Sequence, residues 1–443
     1  MAVSCVPAGK GDETACAPLA GERGVIEALY LHVPFCVSRC AYCGFYSQAT
    51  CANDARIAEY VECLRVLVAR FGSAGMLRHV KTAYIGGGTP TLAGERLVGL
   101  AREVCLQCPE LVEFTSEANP DSLSESLALG LRRAGITRVS LGVQSLSDAE
   151  LRGLGRAHTS HQALEAARVV KAAGFDLSCD LMCGIPGQTP ASWRTSLAGV
   201  LAAGADHVSC YPLSIEEGTP FDDAVLAGAM QLPDADLQAD MMLEAACMLE
   251  EAGLQRYEVA SYARPGHACQ HNIAYWTGAC YLGLGAAAAS MLTPGLACEV
   301  GEMLGLRAAD GDGASTAQKL ADALACQSDV ARVRLSFPDD SEAFVRAVDT
   351  ATGPRVFLET LTSREAAAED LMLAMRMVCG ATRDVLEGAV KRGIPHNKLD
   401  AAVALACKDG LAAFDAVGSL CPTQKGWLLG NELFGIMWDM AGD

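Results

Sequence analysis

Ala28-Leu29-Tyr30-Leu31-His32-Val33, an apolar strand-like run, leads through Pro34 and Phe35 into Cys36-Val37-Ser38-Arg39-Cys40-Ala41-Tyr42-Cys43. Three cysteines at C-x3-C-x2-C spacing, on a loop directly after a strand, suit three irons of a [4Fe–4S] cluster, because such clusters are held through cysteine thiolates. Three protein ligands leave one iron open. That open iron is a place for the amino and carboxylate groups of S-adenosylmethionine, which a reduced cluster would cleave to a carbon radical. Two plainer readings stand beside this one: three buried core cysteines, or three quarters of a zinc site. A structural zinc site normally closes with a fourth Cys or His in paired spacing. None stands nearby at that spacing, and His32 and Cys51 are candidates on paper only.

Composition bounds what surrounds this loop. The chain has 443 residues, enough for two or three domains, one of them a barrel of about 250 residues. Its hydrophobic fraction of 51% is dispersed, with no run of 18 apolar residues, so no membrane span is expected and any membrane contact is peripheral. The N-terminus lacks a charged-then-apolar signal pattern, which points to the cytoplasm. The 20 cysteines sit in Ala-rich helical patterns and read as reduced, mostly small core residues. A formal net charge of −19 disfavours nucleic acid as a partner.

Outward from the cysteine loop the chain alternates. Residues 1–24 read as a flexible lead-in. Asn53 and Asp54 are caps for a helix whose Ile57, Val61, Leu64 and Val68 fall on one face. A strand over 80–85 runs into Gly86-Gly87-Gly88-Thr89-Pro90, where the missing Cβ atoms let backbone approach a ligand and amides meet a carboxylate. Alone, such a loop is more often a turn than a site. Helices at about 92–107, 122–134, 161–173 and 190–203 then alternate with strands over 112–116, 137–141, 176–182 and 207–211, and a further helical stretch carries Leu154-Gly155-Arg156-Ala157-His158. Six strands joined by helices argue for a parallel sheet. Parallel β/α barrels place their sites at the C-terminal strand ends. Glu117, Gln144, Arg156 and Asp180 stand in or beside those ends. Each also has an ordinary reading, as a helix cap or as a surface ion-pair residue worth under about 1 kcal/mol.

The string Tyr30-Leu31-His32-Val33-Pro34-Phe35-Cys36, with Cys40, Tyr42 and Cys43, resembles the opening of the radical SAM branch that contains oxygen-independent coproporphyrinogen III oxidases and the heme chaperone HemW. The oxidases add a further Cys two residues after the third ligand. This chain has Gly44-Phe45 there, similar to the chaperones, which usually read Cys-Asp-Phe. Gly86-Gly87-Gly88-Thr89-Pro90, Glu117-Ala118-Asn119-Pro120, Gly142-Val143-Gln144-Ser145, Leu154–His158 and the run from Asp180 to Gln188 resemble the family in order and spacing. The resemblance implies a partial (β/α)6 radical SAM barrel with Cys36, Cys40 and Cys43 as cluster ligands. It implies that Gly87, Gly88, Thr89 and Glu117 hold S-adenosylmethionine, and that Tyr30, Tyr42, Gln144, Arg156 and Asp180 line the same pocket.

Beyond the barrel, Tyr211–Pro220 is again family-like, and a long helix over about 234–253 precedes Cys269-Gln270-His271-Asn272-Ile273-Ala274-Tyr275-Trp276. An imidazole beside Tyr and Trp can ligate heme iron and stack on a porphyrin, so His271 is a heme candidate; a hydrogen-bonded buried corner is the alternative. His158 is a second heme or substrate candidate, or a capping residue. The resembling families carry Gly-Pro-Gly-Ala-His-Ser after a stretch like Tyr281–Leu284, whereas here Ala289 stands at the His position. Close resemblance covers 25–291. Residues 292–330 read as an insertion loop; its Asp310-Gly311-Asp312-Gly313 lacks the remaining ligands of a calcium loop. Residues 331–443 loosely resemble the small helical, winged-helix-like C-terminal domain of HemW. Its stretch from about 360 opens on the capping box Thr362-Ser363-Arg364-Glu365, with helices near 383–392 and 397–408. With 8 Lys/Arg against 11 Asp/Glu, residues 360–443 lack a nucleic-acid footprint and read as a lid or docking surface.

Two functions are expected from the resemblance: a chaperone that binds heme and passes it to acceptor proteins, or an oxidase converting coproporphyrinogen III to protoporphyrinogen IX. A radical methyltransferase or heme-opening enzyme on the same core is a third. Phe45 in place of the oxidase's extra Cys favours the first.

Overall fold

The apolar runs between the helical patterns become six parallel strands: β1 (Ala28–Val33), β2 (Thr82–Gly87), β3 (Glu113–Ala118), β4 (Arg138–Gln144), β5 (Asp176–Cys183) and β6 (His207–Pro212). The computed structural model describes residues 24–309, 329–350 and 352–442. The first five are nearly all buried, as parallel strands covered by crossover helices must be, and β6 is buried up to its last two residues. The helices start where short polar side chains take up free amides. Asp54 accepts from the Arg56 amide ahead of α1 (Ala55–Ser73), and Thr159 forms a capping box with Gln162 at the helix Ser160–Ala172. The stretch Leu154–His158 is not helical as expected. The helix Asp148–Gly153 ends before it, and Gly155, at φ 74°, turns the chain so that Arg156 faces inward.

The six strands do not close on themselves. β1 pairs on its outer side with the parallel strand β8 (Tyr281–Leu284), and β6 pairs with the antiparallel strand β7 (Ser261–Ala263). This is the expected partial barrel. On the β8 side the sheet runs on through β9 (Ala289–Leu292), β10 (Val330–Ser336) and β11 (Arg355–Thr362), each antiparallel to its predecessor. The two-residue strands Arg307–Ala308 and Gln255–Arg256 complete its 13 strands at the two edges.

Two expected boundaries change. Within 292–330, Thr293 caps a helix, Pro294–Leu304, whose Leu296, Ala297, Val300 and Leu304 enter the main core. The Asp310–Gly313 tetrad lies outside the described residues, as does the lead-in apart from Gly24. The helical unit begins at Ser363 rather than 331, because Val333, Leu335, Val356 and the strands that carry them belong to the main core and sheet. From the capping box of Thr362 and Glu365 onward, a second core forms around Leu371, Met375, Ala389, Leu411, Leu420 and Leu433. Arg332 on β10 meets Asp370 at 2.7 Å, Arg392 meets the other oxygen of Asp370 at 2.6 Å, and Arg332 and Arg334 both pair with Glu369. Among the described residues no helix is long and apolar enough to cross a membrane.

One buried carboxylate ties the later helix to the barrel floor. Glu113, at the start of β3, accepts from Arg138 Nη2 at 3.2 Å and from the Gln270 and His271 amides at 3.0 Å each, at the N-terminus of the helix Gln270–Trp276. Glu113→Ala leaves Arg138 buried without its closest carboxylate and the helix uncapped. The expected loss is about 3–5 kcal/mol, measured by urea unfolding; a loss below about 1 kcal/mol would show the pair to be dispensable.

Candidate functional site

Cys36 ends a two-residue strand, Phe35–Cys36, paired with Gln48–Ala49, and Cys40 and Cys43 follow on the turn beyond it. The turn is anchored by the Ala41 amide donating to Leu154 O at 3.1 Å, and by the Phe221 amide donating to Ala41 O at 3.0 Å. All three sulfurs face a cavity of about 680 Å³ at the C-terminal ends of the barrel strands. Burial pushes the thiols of Cys36 and Cys43 up from their ordinary value. Two sulfurs already receive hydrogen bonds, Cys36 from Thr89 Oγ1 and Cys40 from Arg156 Nη1, both at 3.6 Å.

Their spacing separates a cluster from a single ion. Sulfurs on one tetrahedral zinc lie about 3.8 Å apart, from Zn–S bonds of about 2.3 Å. Among the described residues, the one trio of Cys, His, Asp or Glu ligand atoms lying within 4.8 Å of one another is Asp176, Asp206 and His267. Cys36, Cys40 and Cys43 are spread wider than one ion needs. Thiolates on three corners, with outside donors to the sulfurs, fit an iron–sulfur cluster instead.

The glycine loop presses against the cysteine loop. Gly88 donates to Val33 O at 3.0 Å and Thr89 to Phe35 O at 2.7 Å, and a Cβ on Gly88 would sit 2.6 Å from that Phe35 oxygen. Gly87, at φ 115°, places its missing Cβ 2.6 Å from the His32 ring. The carboxylate that meets the Gly87 amide is Glu117 itself: Oε2 accepts from Gly87 N and Oε1 from Tyr84 OH, both at 3.0 Å. Burial, and then the negative charge of Asp180, push Glu117 up to about 7. Burial raises Asp180 to about 6 against the opposing pull of the Ser140 and Ser209 hydroxyls and Arg156.

Tyr30, Tyr42, Gly87, Gly88, Glu117, Gln144, Arg156 and Asp180 all line the cavity with the three cysteines. Tyr30 OH is hydrogen-bonded to His32 Nδ1 at 2.8 Å. Tyr42 packs with Leu154, Met182, Ile185 and Leu213. Gln144 takes a φ of 65° at the end of β4, where the register with β5 slips. A buried non-glycine residue held in that region is strained backbone of the kind that gathers at ligand sites. Thr89 is not in the cavity wall; its hydroxyl turns behind it, to Cys36. Sequence reasoning passed over Asn119, which bonds Thr89 and Arg156 together, and Tyr84, which holds Glu117. Tyr84's signal was available: it lies two residues before Gly86 on a strand, hence on the same face.

His271 does not reach the cavity. Its Nδ1 is bonded to Thr82 Oγ1 and its Nε2 to Tyr275 OH, both at 3.0 Å, and the buried ring stacks on Tyr84. Neither nitrogen is open to iron, which corrects the expectation of a heme ligand there. His158 is likewise buried, with Nε2 on Val143 O, and His207 is held by Ser178 and Tyr257. The helix instead turns Cys269 and Asn272 to the cavity floor.

Residues 30–198 match the radical SAM superfamily. The chain is 39% identical over 271 residues to radical S-adenosyl methionine domain-containing protein 1, mitochondrial, of Bos taurus, an alignment covering 60% of this chain and 61% of that one. It is 36% identical over 273 residues to the heme chaperone HemW of Synechocystis, covering 60% and 66%, and 36% identical over 270 residues to the heme chaperone HemW of Escherichia coli, covering 60% and 70%. The chain thus spans less than two thirds of the bovine and Synechocystis proteins. Among solved structures, the coproporphyrinogen III oxidase HemN of Escherichia coli covers 96% of this chain and 92% of its own, at a TM-score of 0.69 and 19% identity, a likeness of fold.

Two measurements check the site. Below its ordinary value of 4.5 Glu117 is protonated in both folded and unfolded chains, and as pH rises toward about 7 only the folded chain keeps the proton at increasing cost. The stability this gives is present at low pH and lost through about 7. The buried histidines, held neutral, act with the opposite sign, so wild type is compared with Glu117→Gln. The variant should gain on wild type by up to about 1.4 kcal/mol per pH unit between pH ~5 and ~7 in urea unfolding; a pH-independent difference would mean Glu117 is ionised throughout. His271→Ala should cost about 2–4 kcal/mol of stability through its two lost hydrogen bonds and the void while leaving the spectrum of added heme unchanged. A lost heme spectrum in a variant that remains folded would restore His271 as the ligand.

Proposed function

Because the chain belongs to the radical SAM superfamily and, within it, to the HemW family, we propose that it is a heme chaperone. In this reading it carries a [4Fe–4S] cluster and S-adenosylmethionine, binds heme, and passes heme to acceptor proteins. Cys36, Cys40 and Cys43 would hold the cluster, which when reduced and bound supplies the electron for cleavage of S-adenosylmethionine. Glu117, Asp180, Gln144 and Arg156 surround the space beside it with hydrogen-bonding groups, and Tyr30 and Tyr42 supply its aromatic walls. A ligand bringing an ammonium group meets two carboxyls that burial has made reluctant to ionise alone, so its arrival favours their charged forms.

The observation that carries the chaperone reading over the oxidase is Phe45. It stands where the oxidases place an extra cysteine, and it is 71% exposed at the cavity mouth. An exposed aromatic face offers a porphyrin a stacking surface from which it can leave again, as a carrier requires. An oxidase must instead enclose its substrate propionates against the cofactor.

The test begins with anaerobic reconstitution of the full chain. Wild type should hold about four irons, and Ala at Cys36, Cys40 or Cys43 should each abolish the visible cluster absorption. The protein should then bind about one heme, release it to an apo-heme protein, and leave coproporphyrinogen III unchanged with reductant and S-adenosylmethionine present. Formation of protoporphyrinogen would overturn the chaperone reading in favour of the oxidase.

A further inference from the structure

Behind the cysteine loop, three side chains form one continuous hydrogen-bonded bridge between two of the three sulfurs. Arg156 Nη1 donates to Cys40 Sγ at 3.6 Å, and its Nη2 donates to Asn119 Oδ1 at 2.8 Å and to Gly142 O at 2.7 Å. Asn119 Nδ2 donates to Thr89 Oγ1 at 2.8 Å, and Thr89 Oγ1 donates to Cys36 Sγ at 3.6 Å. The direction of every bond follows from one fact. Arginine has donors and no acceptor, so it must face the amide oxygen of Asn119. The amide nitrogen is then turned to Thr89, whose oxygen accepts, and its single hydroxyl hydrogen is left for Cys36.

We propose that Asn119 is a positioning residue that raises the reduction potential of the cluster by aiming two donors, the Thr89 hydroxyl and the Arg156 guanidinium, at the sulfurs of Cys36 and Cys40. Reduction adds negative charge to a cluster and its thiolates, and hydrogen bonds to the sulfurs stabilise that charge. Asn119 touches neither sulfur. It acts by fixing the amide orientation that dictates where the Thr89 hydrogen points, and by holding the guanidinium against the Gly142 carbonyl. Thr89 is buried at the first turn of the helical segment Pro90–Ala93, and its own amide is tied to Phe35 O, so its hydroxyl has few other places to go.

This inference rests on the cluster reading, and the experiment keeps the two apart. Wild type, Thr89→Val, Thr89→Ser and Asn119→Leu are reconstituted anaerobically, iron is counted, and the midpoint potential is read by redox titration with electron paramagnetic resonance. Thr89→Val removes one donor at nearly constant volume, and Thr89→Ser restores it. The expected result is a full iron complement in both, with at least a tenfold lower ratio of reduced to oxidised cluster at fixed ambient potential in Thr89→Val. That is a shift of about 59 mV for one electron, and Thr89→Ser should recover it. Asn119→Leu should shift at least as far, and adding Thr89→Val to it should change little more, since the hydroxyl is already unaimed. Wild-type potentials in iron-replete Thr89→Val and Asn119→Leu would overturn the proposal while leaving the cluster intact. Absence of iron from wild type would instead sink the cluster reading. Should Asn119→Leu fail to fold, the Thr89→Val and Thr89→Ser pair decides alone.

Discussion

The site depends on a backbone contact that admits no side chain. The glycine loop after β2 lies so close to the chain leaving β1 that a Cβ at Gly88 would fall 2.6 Å from the Phe35 carbonyl oxygen. With that Cβ absent, the Gly88 and Thr89 amides reach Val33 O and Phe35 O, and the exit of β1 is clamped one residue before Cys36. Everything on the cysteine loop is then measured from a fixed point. Thr89, held by its own amide, can only present its hydroxyl to Cys36, and Asn119 can only present its amide nitrogen to Thr89. A larger residue at Gly88 would have to push β1 and β2 apart, and those two strands pair along their whole length from Ala28↔Thr82 to Val33↔Gly87.

Strand register carries the same order across the barrel. Glu117 on β3 pairs with Ser140 on β4, Ser140 with Ser178 on β5, and Asp180, two residues on, with Ser209 on β6. In-register parallel strands stack inward side chains in layers. The Ser140 and Ser209 hydroxyls therefore fall beside Asp180, and Tyr84 from β2 falls beside Glu117. The small hydroxyls of Ser140 and Ser209 satisfy Asp180 without filling the space a ligand needs. A one-residue slip of β4 or β5 would turn these groups out of the barrel altogether.

Much of this was legible in the sequence because it is periodic or spaced. The six barrel strands, their intervening helices, the Asp54 cap and the Thr362–Glu365 box all follow from local patterns, and the strands start and end within three residues of where the apolar runs place them. What escaped depends on direction rather than position. Thr89 was legible as part of a ligand loop, but the loop curls so that its hydroxyl faces a sulfur instead of the cavity. His271 sits in a string of polar and aromatic residues, yet Ile273 and Ala274 beside it are fully buried, and a helix packed on that side takes the imidazole inward with it. The helix Pro294–Leu304 carried its signals openly: Thr293 as cap, Pro294 in the first turn, apolar residues every three or four positions, and Gly305 in the left-handed region at its end. The neighbouring acidic, Gly-rich stretch outweighed them.

The charges in the chamber explain why these residues form a receptor rather than a finished core. Arg156 is buried against two neutral carbonyl oxygens, a sulfur and the Tyr42 hydroxyl, and among the described residues no ion pair involves it. Asp180 pushes Glu117 up across the same space. Glu117 is held by the Tyr84 hydroxyl and the Gly87 amide, and Asp180 by the Ser140 and Ser209 hydroxyls. Like charges buried together are ionised only at a cost. Arg156 draws Asp180 down through space, but no ion pair joins it to either acid among the described residues. A core built for stability alone would close such groups into ion pairs or replace them with apolar residues of similar volume. Under the proposed function the arrangement would be completed by a ligand that is itself charged at both ends, an ammonium for the acids and a negatively charged group for the guanidinium and the cluster side. The polarity of the chamber, more than its volume, selects what enters it.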